Sequence, residues 1–332
     1  MKKLILFLSF LLPFLATKAQ SGYHISKTFH IASPGGWDYP SIDPNSNKLY
    51  LSHGSQVNII DKTTGDSLGY IPGTTGVHGV AFADGKGYTS NGRLNNVTVF
   101  DLATGKEIKQ VAVGKNPDWI MYDAFSKRVI TSNHSGGDIS LIDPSTDIVV
   151  ATITIGGVLE TIVSDGAGKL FVNVEDKNEI AEVDIAKAIV TNRWSLASAE
   201  SPTGLDIDIK TKRLFTTCSK LLVVMDATNG NIVAQLPIGA GTDGAAFDPS
   251  TKLIFTSNGE GTVTIIKVIS KDEFKVIETI VTKRGARTIV LDPKTHKLYL
   301  PTADYEPIPE GSPANTRPKI VVGSFQVLVL EK

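Results

Sequence analysis

Cysteine is almost absent from this sequence: Cys218 is the only one among 332 residues. A lone thiol closes no disulfide within the chain, so stability has to come from packing and from closure of the fold. A charge surplus is missing too. Lysine and arginine number 33 against 34 aspartates and glutamates, and residues 1–20 hold three of the lysines and no acid. Residues 21–332 therefore carry 30 basic against 34 acidic side chains, which argues against a general grip on nucleic acid. No C-x-x-C, H-E-x-x-H, G-x-S-x-G or Walker A motif occurs, so the signatures of redox, zinc-protease, serine-hydrolase and nucleotide chemistry are lacking. The one G-x-G-x-x-G match, residues 239–244, runs into AAFDPSTK, a strand and a turn. A dinucleotide site needs a helix there.

What is present begins with a leader. Met1-Lys2-Lys3 is a basic start, residues 4–15 are an apolar run, and Ala16-Thr17-Lys18-Ala19 is a small-residue end. That is the pattern of a signal peptide cut after Ala19 or Gln20. The apolar run is too short for a bilayer span, and no cysteine follows closely to carry a lipid. The expectation is a leader over 1–20 and a single exported domain over 21–332, periplasmic or secreted, without membrane insertion once the leader is removed.

Most of the remainder is one pattern repeated. Residues 239–266 read as strand AAF, turn DPSTK, strand LIFTS, turn NGEG and strand TVTII. Equivalent second strands are KLYLSH (48–53), GYTSN (87–91), RVITSN (128–133), KLFVNV (169–174), RLFTTC (213–218), LIFTSN (253–258) and KLYLPT (297–302). Third strands end in Asp61, Asp101, Asp143, Asp184 and Asp226, at steps of 40 to 42 residues. A steady period of that size with about four short strands per unit predicts an all-β, seven-bladed β-propeller of four antiparallel strands per blade. The aspartates are turn-formers: Asp-Pro suits the start of a type I turn, and the Asp-x-x-x-Gly runs supply the positive-φ glycine of a hairpin.

Two stretches test the pattern. Residues 179–194 (EIAEVDIAKAIVTNRW) have a helical look, but the repeat register puts Asp184 in the slot of Asp143 and Asp226, which predicts two strands and a turn. Residues 303–318 hold four prolines, which excludes a central strand and predicts a long loop between the second and third strands of the last blade, a lid or partner contact over the mouth. The chain ends after SFQVLVLE (324–331), so the missing fourth strand has to be YHISKTFHI (23–31), closing the ring by pairing the two termini.

Tyr88-Thr89-Ser90-Asn91, Ile130-Thr131-Ser132-Asn133 and Phe255-Thr256-Ser257-Asn258, with the turns DPSTK and DLATG, resemble the YVTN repeat of the YncE-like seven-bladed propellers. The resemblance covers residues 23–332. It implies the fold and, through YncE, single-stranded nucleic acid as one ligand. Related propellers also include binding proteins, lactone hydrolases and cofactor-bearing oxidoreductases, so fold alone does not carry function across.

Aligning the blades singles out one end of the channel. Five residues before each turn aspartate, with one shorter blade fitted by alignment, stand Asp38, His78, Asp118, Glu160, Thr203, Asp243 and Arg287. A second ring, where second strands end, holds His53, Asn91, Asn133, Glu175, Cys218, Asn258 and Thr302, and the loops beyond add His134. Loops held on a rigid scaffold around a concavity favour binding. The expected binding set is Asp38, His53, His78, Asn91, Asp118, Asn133, His134, Glu160, Glu175, Asp243, Asn258 and Arg287. Asp38, His78, Asp118 and Glu160 form an arc of three carboxylates and an imidazole suited to a divalent cation. Solvated loop polarity and an Arg287–Asp243–Asp38 ion-pair cluster would account for the same residues without any ligand.

The reading is a monomeric binding protein for a small molecule, ion or protein partner at this mouth, without a catalytic set. One rival is a metal-dependent, lactonase-type hydrolase using Glu160, Glu175, Asn133, Asn258 and Asp243. The other is single-stranded nucleic-acid binding on Trp37 and Trp119 with Arg93, Lys220 and Arg287; the acids at the mouth outweigh it.

Overall fold

The computed structural model describes residues 21–313 and 316–332, so the expected leader lies outside the described residues. Among the described residues, twenty-eight strands form seven four-stranded antiparallel sheets. Six blades are continuous in sequence and run from the channel outward. Blade one, for example, is Trp37–Ile42, Lys48–His53, Gln56–Asp61 and Ser67–Ile71. The seventh is composite: Val290–Leu291, Leu298–Thr302 and Gln326–Glu331 are completed by His24–His30. That N-terminal strand pairs antiparallel with the C-terminal one, from His24 opposite Glu331 to His30 opposite Gln326. The only helical pieces among the described residues are single 3₁₀ turns at Gly92–Leu94 and Glu175–Lys177.

The core follows from the pleat. Side chains alternate between the two faces of a strand, so each blade buries one set against the blade before it and one against the blade after. In Lys48–His53, Leu49 and Leu51 join Tyr299, Val327 and Val329 of blade seven, whereas Tyr50 joins Val80 and Phe100 of blade two. Among the described residues seven such clusters occur, one at each blade interface. No blade has a core of its own, and every blade depends on two neighbours.

Local expectations fare well, with small shifts in boundary. The segment of helical appearance forms strands Glu179–Asp184 and Ile189–Ser195; pairing with the blade outweighs local propensity. The last third strand starts at Gln326 rather than 324. The turn aspartates cap their own turns: Asp248 accepts hydrogen bonds from Ser250 N at 2.9 Å and Thr251 Oγ1 at 2.8 Å, and Asp61 accepts from Thr63 N and Thr64 N. The proline-rich segment leaves the last blade and returns, tied by a bridge between Tyr305 and Ile320. Tyr305 rests against Trp37 with ring centroids 6.2 Å apart, and Arg284 lies over its ring. This brings the loop to the same end of the channel as Asp38.

Candidate functional site

Each of five innermost strands breaks register with its neighbour near its first residue. In blade one Trp37 lies opposite His53 but Pro40 opposite Leu51, so Asp38 and Tyr39 face a single residue. The same irregularity recurs at Val77/Val80, Pro117/Ile120, Leu159/Ile162 and Thr242/Gly244. A bulge turns the extra residue away from the pleat and aims its side chain elsewhere. Here the extra residues include Asp38, His78, Asp118, Glu160 and Asp243, and the bulges gather them at the channel mouth.

Serines of the second strands clasp these bulges. Ser52 Oγ accepts from Asp38 N at 3.0 Å, Ser90 Oγ from Gly79 N at 3.1 Å and Ser132 Oγ from Trp119 N at 3.2 Å. Ser90 Oγ also donates to the Asp118 carbonyl of the next blade, and Ser257 Oγ donates to the Arg287 carbonyl at 2.5 Å. The hydroxyl of the second-strand serine thus holds the bulge of its own blade, links to the next blade, or does both. In blade five Thr217 takes the serine's part, accepting from Gly204 N at 3.0 Å, and Thr203, at the mouth position, donates to the Thr242 carbonyl at 2.8 Å and stands apart from the charged arc.

The charged residues form one continuous chain across the mouth. Arg287 Nε donates to Asp243 Oδ2 at 2.7 Å and its Nη2 to Asp38 Oδ1 at 3.1 Å. His78 Nδ1 lies 2.6 Å from Asp38 Oδ2 and 2.9 Å from Asp118 Oδ1. The Nδ1–H is aligned on Asp38, so Asp118 Oδ1, screened from water, has the imidazole beside it but accepts no well-aligned hydrogen bond among the described residues. On the other side His134 Nδ1 is 3.1 Å from Glu160 Oε1, 4.0 Å from Asp118 Oδ2 and 3.1 Å from the Leu159 carbonyl. Asp38, His78 and Asp118 make one group whose ligand atoms lie within 4.8 Å of one another, and Asp118, His134 and Glu160 make a second.

Burial and neighbours set the protonation. Burial raises the carboxyls of Asp38 and Asp243 above the usual range, and Arg287 only partly opposes it. Burial pushes Glu160 up to about 8 despite its hydrogen bond to His134. For His78 burial favours the neutral ring, but the carboxylates of Asp118 and Asp38, both within 3 Å of Nδ1, outweigh it and raise the imidazole to about 10. The hydrogen bond to Glu160 raises His134 to about 9 against the effect of burial. Burial and the crowding of carboxylates thus favour the protonated forms of the mouth groups.

Other expected residues go elsewhere. His53 is fully buried, with Nδ1 2.6 Å from Ser33 Oγ, Nε2 2.9 Å from the Gly35 carbonyl, and its ring stacked on Phe325; burial lowers it to about 4. Asn91, Asn133 and Asn258 are fully buried too. They donate within their own blades: Asn91 to Thr98 Oγ1, Asn133 to Ser140 Oγ and Asn258 to Thr264 Oγ1. Glu175 opens a 3₁₀ turn outside the charged chain. Cys218 is a buried thiol that burial pushes up to about 12. Trp37 is buried against Tyr305 and Phe325. Trp119 packs edge-on to Tyr39 at 4.9 Å.

Tyr39 escaped the sequence reading. It is buried, and the carboxylates of Asp243, Asp118, Glu160 and Asp38 add to burial in holding its hydroxyl well above the ordinary value. Charges from blades one, three, four and six all act on it. The signal was available: Tyr39 follows Asp38 as Trp119 follows Asp118, the two aromatic members of one aligned position.

No protein-family model matches the chain, and no curated protein matches it. Among solved structures, Kuenenia stuttgartiensis hydrazine synthase is similar, with a TM-score of 0.70 over 82% of this chain and 94% of that one, at 18% identity. At that identity the likeness is one of fold, a seven-bladed propeller, and carries no chemistry across.

Proposed function

We propose that this chain is an exported, YncE-like binding propeller whose channel mouth captures a divalent cation or a compact cationic group. One observation carries the reading. Asp38, Asp118, Glu160 and Asp243 converge at the mouth against one permanent cation, Arg287, with His78 and His134 between them. Carboxylate oxygens with imidazole nitrogens suit zinc or manganese in particular. Arg287 holds the outer oxygen of Asp38, leaving the inner one to orient toward a bound ion, as supporting hydrogen bonds do in metal sites.

The alternatives have less support. The hydrolase set of Glu160, Glu175, Asn133, Asn258 and Asp243 is not gathered as one: Asn258 Oδ1 accepts from Thr242 Oγ1 at 2.7 Å and Glu175 opens a 3₁₀ turn outside the charged chain. Nucleic-acid stacking relied on Trp37 and Trp119: Trp37 is buried against Tyr305 of the loop, and Trp119 is half-buried with its ring against Tyr39. Calorimetric titration of metal-free protein with Mn²⁺, Zn²⁺, Ca²⁺ and a single-stranded oligonucleotide tests the reading. Metal heat that disappears in an Asp118→Asn/Glu160→Gln double variant is expected. Salt-sensitive oligonucleotide binding without any metal response would overturn it and favour nucleic acid.

A further inference from the structure

Resting on that reading, we propose that the mouth holds two divalent cations bridged by the Asp118 carboxylate, and that the filled pair binds a small oxyanion. The first cation takes Asp38, His78 and Asp118; the second takes Asp118, His134 and Glu160.

Three observations lead there. The two donor groups are separate sets that share only Asp118. The shared carboxylate straddles them, with Oδ1 2.9 Å from His78 Nδ1 and Oδ2 on the side of His134 Nδ1, 4.0 Å away. Its side chain is 9% exposed, and Oδ1, with the shared His78 imidazole 2.9 Å away, accepts no well-aligned hydrogen bond among the described residues; a buried carboxylate oxygen so placed is fully compensated only by a group that coordinates it. A cation does so directly.

The spacing fits. Bonds of about 2.0–2.2 Å in a tetrahedral shell put donor atoms roughly 3.3–3.6 Å apart. The donor separations of 2.6, 2.9, 3.1 and 4.0 Å bracket that range, so the donor pairs have to open or close by about 0.2–0.7 Å while the clasped bulges stay in place. The Leu159 carbonyl, 3.1 Å from His134 Nδ1, is a further oxygen for the second cation.

Charge then selects the ligand. With neutral imidazoles, Asp38, Asp118, Glu160, Asp243 and Arg287 leave the mouth at net minus three. Two divalent cations, each bound by one of these imidazoles, carry it to net plus one, which favours a small anion. A pair of cations about 3.5–4 Å apart is the spacing that clamps two oxygens of one carboxylate or phosphate group.

Metal content after loading and desalting gives the stoichiometry, and the electron paramagnetic resonance of the Mn²⁺ form shows whether the ions touch. Two ions per chain with an exchange-coupled spectrum are expected, falling to one uncoupled ion in Asp38→Asn and in Glu160→Gln. Inorganic phosphate should bind the loaded protein and not the metal-free protein. One ion per chain in the wild type would overturn the pair while leaving the cation reading standing; no ion would overturn both. Two ions without coupling would overturn the Asp118 bridge. Two coupled ions indifferent to phosphate would overturn the oxyanion assignment. Melting curves of the variants confirm that each is folded when measured.

Discussion

Closure of the ring hangs on one short strand, and Phe29 is the side chain that anchors it. Phe29 is 6% exposed and packs into the cluster that joins blade seven to blade one, with Val327, Val329, Leu49 and Leu51. Its ring also fills the space over Gly65, where an added Cβ would stand 2.5 Å from Phe29 Cγ. Removing a buried phenyl ring costs about 3–5 kcal/mol when the site cannot collapse. Collapse is opposed here, because both flanking blades are held by the next interface round the ring. At about 2–4 °C per kcal/mol for a chain somewhat smaller than this one, Phe29→Ala should melt roughly 6–20 °C below wild type. The neighbouring His30 is exposed, so His30→Ala should stay within about 0.5 kcal/mol. A chain starting at Gly35 should go further: it leaves Gln326–Glu331 as an open edge and should aggregate. Differential scanning calorimetry of the two point variants decides the matter. Equal melting of Phe29→Ala and wild type would refute the idea that the terminal strand latches the propeller.

Two further outcomes concern the mouth. Gly92 sits where an added Cβ would come within 2.7 Å of His78 Nε2, so Gly92→Ala must push that ring; cation affinity measured by calorimetry should fall about 10–100-fold, as with other supporting groups. His78 and His134 are raised in the folded protein to about 10 and about 9, so the stability they contribute is present below about 6.5 and lost as pH climbs through those values. Melting temperature of the metal-free protein should decline between about pH 7 and 10, and the decline should flatten in His78→Gln.

Much of the fold is readable from the chain. Period, turn aspartates and the need for a terminal strand follow from local rules, since each repeat carries the same hairpin chemistry. The arc from Asp38 to Glu160 is legible because equivalent positions of a symmetric ring must come together. The asparagines are not, because a residue at a strand end can turn outward to a ligand or back into its own hairpin. Asn91 and Asn258 turn back onto threonines of the next strand. His53 deceives for a related reason: its ring is sealed by Phe325 from the far end of the chain, a contact that no local pattern announces. The bulges themselves are hidden as well. They appear only when strand is paired with strand, yet they are what aims the acids inward.

Diffraction from crystals soaked in Mn²⁺, collected to locate anomalous scattering, tests the central claim most directly. The expected result is a pair of peaks within bonding distance of Asp118, flanked by His78 on one side and His134 on the other, about 3.5–4 Å apart. Fully soaked crystals with no peak beside Asp38, His78, Asp118, His134 or Glu160 would contradict it.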